Sequence, residues 1–200
     1  MFQPFLYAGK MTHSICVFCS SSDSVDEVYK ESATNLGRKM GQLGLNLVYG
    51  GASIGLMGCV ARGVHEFGGS VTGVLPEFFK IKEVEYGDAD ELIVTQDMRE
   101  RKAVMDQKSD AFITLPGGIG TMEEAMEILS MKQLRLTSKP LVFINTCNFY
   151  DGLISNLQEM VDLKFARKET LDLFAVEPGP QEALDYILSY KPPQISNKWM

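Results

Sequence analysis

The segment Asp110-Ala111-Phe112-Ile113-Thr114-Leu115-Pro116-Gly117-Gly118-Ile119-Gly120-Thr121-Met122-Glu123-Glu124 joins an apolar run to three glycines and then to a threonine and two acids. Residues 111–115 are short, apolar and closed by a proline–glycine turn, which predicts a buried strand; the pattern after the turn predicts a helix over 121–136. A strand that ends in glycines lets the backbone approach an anion closely. The first amides of the following helix then point unpaired N–H groups at that anion, and the helix dipole adds partial positive charge. Gly117, Gly118, Ile119, Gly120 and Thr121 are therefore candidate phosphate ligands.

Outward from this segment, short apolar runs alternate with helical patterns. Strands are expected at 15–19, 45–49 and 70–75, with helices at 25–43 and 55–67 between them. The second half continues with a helix near 97–108, the strand at 111–115, the helix at 121–136, a strand at 140–144, a helix at 150–165, a strand at 171–176 and a helix at 180–189. Strands that read as continuous apolar runs are buried on both faces, so the expected fold is α/β: one Rossmann-like, doubly wound parallel sheet with helices on both faces. A single domain is expected over 14–190, with an extension at 1–13 and a tail at 191–200.

In such sheets the ligand sits beyond the carboxyl ends of the strands. Ser20-Ser21-Ser22 follows the first strand and Gly50-Gly51-Ala52-Ser53-Ile54-Gly55-Leu56-Met57-Gly58 follows the second, so Ser21 and Gly51 join the candidate binding residues. The dinucleotide fingerprint at the first strand is missing, and no Gly-Lys-Ser/Thr follows a glycine run, which disfavours both a redox dinucleotide and a P-loop.

With 200 residues, 45% of them hydrophobic, the chain can build one ample core. Its 26 acidic and 19 basic residues give a net charge of -7 with no basic cluster, which argues against nucleic acid as a partner. No apolar run reaches membrane-spanning length and no leader pattern is present, so a cytoplasmic protein without membrane contact is expected. Cys16 and Cys19 match CxxC but lie on a predicted strand, where positions three apart face opposite sides; no redox role, metal site or cofactor is expected.

Asp97-Met98-Arg99-Glu100-Arg101-Lys102, followed by the Pro116–Glu124 run, closely resembles the Lonely Guy (LOG) family, whose hallmarks are a PGGxGTxxE motif and an upstream Arg-Lys pair. The Val48–Gly58 run and Gly73-Val74-Leu75-Pro76 match as well, so the resemblance covers roughly residues 15–165. Members of that family, often labelled lysine decarboxylases, are phosphoribohydrolases that cut the N-glycosidic bond of cytokinin riboside 5'-monophosphates and often of AMP. The resemblance implies that activity here, with no cofactor and a homodimer as the assembly. It implies a catalytic pair at Arg101 and Glu124, and substrate contacts at Glu83, Lys102, Gly117 to Thr121, Glu123 and Ser130. Ser20 stands where the family often has glycine, which either narrows the pocket or adds a hydroxyl to it.

Cleaving a ribosyl–base bond passes through an oxocarbenium-like centre, so a site must hold phosphate, stabilise positive charge on the sugar and position water. Glu124 follows Thr121 by three residues and reads two ways: as the return arm of a capping box, or as a first-turn carboxylate kept anionic for catalysis. Arg101 shares a helical face with Met98 and Met105 and needs an anionic partner, either Glu83, Glu124 or Asp106, or the substrate itself. The acidic stretch Glu83, Glu85, Asp88, Asp90 and Glu91 reads as a solvated loop, Glu83 excepted only through the resemblance. Met122, Met126 and Met131 read as core or interface packing, with Met126 and Leu129 available to a dimer surface. The rival readings are a protein of the same fold that binds nucleotide or molybdenum cofactor without turnover and, with poor support, a PLP-dependent lysine decarboxylase.

Overall fold

A computed structural model describes residues 12–80 and 85–194. Among these residues a seven-stranded, wholly parallel sheet forms the centre: β1 (Ser14–Phe18), β2 (Asn46–Tyr49), β3 (Val71–Pro76), β4 (Glu91–Thr95), β5 (Ala111–Thr114), β6 (Leu141–Ile144) and β7 (Ala175–Glu177). Their order is β4-β3-β2-β1-β5-β6-β7, with Cys16 opposite both Val48 and Phe112. The chain winds outward from β1 to β4, returns to place β5 beside β1 and winds outward again. The crevice between the ends of β1 and β5 is thus the switch point where open α/β sheets bind ligands.

Helices α1 (Glu27–Gln42), α2 (Gly55–Glu66) and α7 (Pro180–Ser189) cover one face of the sheet, where Leu36, Met40, Val60, Val64, Leu184 and Ile187 pack on Ile15, Val17 and Leu47. Helices α4 (Met98–Gln107), α5 (Ile119–Gln133) and α6 (Asp151–Asp162) cover the other, where Met105, Ala125, Ile128 and Leu157 meet Cys16, Phe112 and Phe143. Every residue of β5 and β6 is buried, as the unbroken apolar runs require. Cys16 and Cys19 fall into opposite core layers, as the strand period demands.

The structure differs from the sequence reading in three places. A further edge strand, β4, begins at Glu91, the last residue of the acidic stretch read as a loop, and pairs with β3 from Thr72↔Glu91 to Pro76↔Thr95. Its apolar run is only Leu92-Ile93-Val94, and four of its five residues keep solvent contact, so it lacks the fully buried character of the central strands; the short helix α3 (Glu77–Lys80) precedes the stretch. The strand expected at 171–176 is instead a 3-10 turn over Lys168–Leu173 followed by β7, which buries Leu173 without strand pairing. The helix expected from Thr121 begins at Ile119, with Gly118 as an extended N-cap.

Candidate active site

That earlier helix start changes what Glu124 can do. It stands at the sixth position of α5, beyond the first turn, and Thr121 is inside the helix, so neither the capping box nor dipole stabilisation of Glu124 is realised. No side chain caps the start at Gly118, and a helix start leaves the amides of Ile119, Gly120 and Thr121 without intrahelical acceptors. The start of α2, by contrast, is occupied by protein. Asp23 Oδ1 accepts the Gly55 N–H at 2.7 Å and the Ser20 carbonyl accepts the Leu56 N–H at 2.9 Å. Gly55 adopts φ +59° with its Cα against Ser20 and Ser21, a position with no room for a side chain. Only the α5 start therefore remains open as an anion cradle of the two glycine runs.

A cleft of about 460 Å³ opens at these loops. Ser21, Gly51, Arg101, Gly118, Gly120, Thr121 and Glu124 line it, which brings together seven of the residues expected from sequence. Arg101 is 5% exposed; its Nε donates to the Val74 carbonyl at 2.9 Å and its Nη1 to Glu124 Oε1 at 2.5 Å. Among the described residues Arg101 meets Glu124, and Asp106 pairs with Lys139 at 2.8 Å. A Cβ at Gly50 would strike the guanidinium, so glycine there makes room for the arginine.

The other expected residues lie elsewhere. Lys102 pairs with Glu123 and, at 2.9 Å, with Glu127, so Lys102 and Glu123 neutralise each other across α4 and α5 outside the cleft lining. Ser130 is exposed three turns along α5, Ile119 turns its side chain to solvent, and Gly117 packs beneath the Thr121 side chain. Glu83 lies outside the described residues.

The family model described as "Possible lysine decarboxylase" matches residues 57–187. "Cytokinin riboside 5'-monophosphate phosphoribohydrolase LOG5" of Arabidopsis thaliana is 41% identical over 178 residues, covering 89% of this chain and 78% of that protein. "Probable cytokinin riboside 5'-monophosphate phosphoribohydrolase LOGL2" of Oryza sativa subsp. japonica is 37% identical, covering 89% of this chain and 73% of that one. The chain belongs to the LOG family.

The molybdenum cofactor binding protein from Rippkaea orientalis superposes with a TM-score of 0.69 at 21% identity, covering 90% of this chain and 97% of that one. The Moco carrier protein from Chlamydomonas reinhardtii gives 0.67 at 23%, covering 88% and 94%. At those identities the likeness shows the fold alone.

Two features of this LOG-family site escape sequence reasoning. Ile54, Met57, Leu75, Phe79 and Met98 give the cleft an apolar wall drawn from four elements, α2 with its N-cap, β3, α3 and α4, and no local pattern announces it. Glu85, read as part of a solvated loop, lines the cleft and keeps its Oε2 buried with no hydrogen-bond partner among the described residues. The antiparallel bridge Ala52↔Glu85 and the bond from the Tyr86 N–H to the Gly51 carbonyl at 2.9 Å bring it there. Burial pushes the Glu124 carboxyl above the usual carboxylate range, while the Arg101 guanidinium pulls it back.

Proposed function

We propose that the protein is a phosphoribohydrolase that splits the N-glycosidic bond of cytokinin riboside 5'-monophosphates, and of AMP, to free base and ribose 5-phosphate. The observation that carries this reading is the buried Arg101–Glu124 pair in the wall of a cleft that also contains an uncapped helix start. Support for the substrate class comes from the relatives' activity as their names state it.

In this reading the amides at the start of α5 and the Thr121 hydroxyl hold the 5'-phosphate, so a monophosphate binds better than its nucleoside. The apolar wall of Met57, Leu75, Phe79 and Met98 receives the base and an apolar N6 substituent. Glu124, held in place by Arg101, faces the anomeric carbon as an anion, stabilising the developing oxocarbenium and orienting water. The water oxygen bonds to C1', the C–N electron pair leaves with the base, and the net proton from water ends on the base nitrogen. Arg101 has two fixed acceptors, which makes it the strut that holds the carboxylate in one rotamer.

The same proposal includes a homodimer and a cytoplasmic location. The apolar side chains Ile119, Leu134 and Leu136, exposed by 87%, 47% and 64% at the two ends of α5, are consistent with a partner surface. The exposed free thiol of Cys147 suits a reducing compartment.

The test is incubation with the 5'-monophosphates of N6-isopentenyladenosine and adenosine, and with both nucleosides, followed by chromatography of free base and ribose 5-phosphate. Base release from a monophosphate, with little from its nucleoside, is the expected result. Tight binding of both monophosphates with no release would instead favour a binding protein of this fold.

A further inference from the structure

His65 on α2 stands at the centre of a small polar array outside the cleft. Its Nε2 lies 3.0 Å from Asp90 Oδ2, and its Nδ1 lies 3.0 Å from the Tyr86 hydroxyl. A carboxylate only accepts, so Nε2 carries the proton and, in the neutral ring, Nδ1 accepts from the tyrosine O–H. Asp90 Oδ2 also accepts the Val71 N–H at 2.7 Å, and the His65 and Tyr86 rings stack with centroids 5.6 Å apart. Tyr86 is 8% exposed and packs into the core layer of α1 and α2. These bonds tie both ends of 86–90 to α2 and β3.

The residue just before this array is Glu85, whose buried, unpartnered Oε2 belongs to the cleft. Leaving a carboxylate oxygen buried and unbonded is costly, and the cost persists only where the surroundings hold the group in place. The Ala52 bridge and the Tyr86–Gly51 bond supply two backbone ties next to the carboxylate; on its C-terminal side His65 bonds both Tyr86 and Asp90, and the Val71 N–H holds Asp90 to β3.

We infer that the Tyr86–His65–Asp90 array is the fastening that aims the Glu85 carboxylate into the cleft, making His65 and Tyr86 positioning residues for substrate binding. This rests on the phosphoribohydrolase reading for the identity of the ligand. A carboxylate repels phosphate and accepts hydrogen bonds, so the part of a nucleoside monophosphate that meets Glu85 is one that carries donors, the ribose hydroxyls. Loosening the array lets Glu85 turn to solvent, weakens ground-state binding and leaves Arg101 and Glu124 in place. KM therefore rises more than kcat falls.

The test is a mutant cycle on the intact protein, with Tyr86→Phe, His65→Phe, Glu85→Gln and His65→Phe/Glu85→Gln read by kcat, KM, melting temperature and calorimetric affinity for AMP. Tyr86→Phe removes one hydroxyl and keeps the packed ring, so the fold survives it. Each single variant is expected to raise KM about tenfold with kcat within about twofold of wild type, and the double variant to be no worse than Glu85→Gln alone. A lowered melting temperature with unchanged KM in Tyr86→Phe and His65→Phe would overturn the inference, because that is what a merely structural array gives. Losses that multiply in the double variant would overturn it as well. Should the wild type release no base, the phosphoribohydrolase reading fails and the AMP affinities decide the cycle by themselves; a wild type that binds no AMP would sink both.

Discussion

Burial disfavours ionisation of Glu124, and the Arg101 guanidinium beside it favours the anion. Removing the arginine would leave a buried, uncompensated carboxylate, a change that costs about 3–5 kcal/mol in proteins generally. Burial raises the Glu124 pKa and the guanidinium opposes the rise. The anion is lost as pH falls through that raised value, so kcat/KM should decline on the acid side at a higher pH than an exposed glutamate titrates. The stability sign is opposite: the folded state holds this proton more tightly than the unfolded chain, so the group's contribution to stability falls as pH rises through the same window. A pH–rate profile that stays flat down to the range of an ordinary glutamate would contradict the anionic role. At this scale the glycines were legible from type and spacing and Arg101 and Glu124 through the family resemblance, and Gly51, Gly118, Gly120, Arg101 and Glu124 line one cleft. The sequence hid Glu85, whose neighbours are acidic and whose burial depends on a bridge to Ala52.

Among the elements, α5 matters most, since its first turn and its sixth position line different parts of the cleft. Gly120 sits in the first turn, lines the cleft, and a Cβ there would meet no atom of the protein within 4 Å. Gly120→Ala should therefore fold as well as wild type or better, by up to about 0.5–1 kcal/mol from helix propensity. The same methyl should crowd the phosphate cradle and raise KM for a 5'-monophosphate about tenfold, while binding of the nucleoside changes little. Unchanged KM with raised stability would remove the phosphate from this helix start. Strands β1, β5 and β6 were legible because both faces are buried and the apolar run is unbroken. Strand β4 was not, because its apolar run is only the three residues Leu92-Ile93-Val94, set beside an acidic stretch on an edge that stays mostly solvent-accessible.

Across the whole molecule, a sheet wound in two directions from β1 leaves the cleft at the switch point and the far end of α5 locked to α7. There Lys132, 2% exposed, donates to the Lys139 carbonyl at 2.5 Å and to the Tyr190 hydroxyl at 3.0 Å, its ammonium over the Tyr190 ring. Burial pushes its pKa down to about 8, below the ordinary lysine value of 10.5. The unfolded chain thus binds more protons between those values, and stability from this group rises as pH goes from about 8 towards 10.5. Chemical denaturation across that window should show the rise in wild type, of order 3 kcal/mol at most, and a flatter curve in Lys132→Met. An identical slope in both proteins would assign the pH dependence elsewhere.

The buried carboxylate at the switch point is best probed by Glu124→Gln, which keeps volume and hydrogen bonding while removing the charge. Turnover of AMP and of its N6-isopentenyl analogue, measured with AMP affinity and thermal melting on the same preparations, separates chemistry from binding and folding. The expected result is base release at least about a hundredfold slower than wild type with affinity and fold retained; wild-type turnover in Glu124→Gln would contradict a catalytic Glu124.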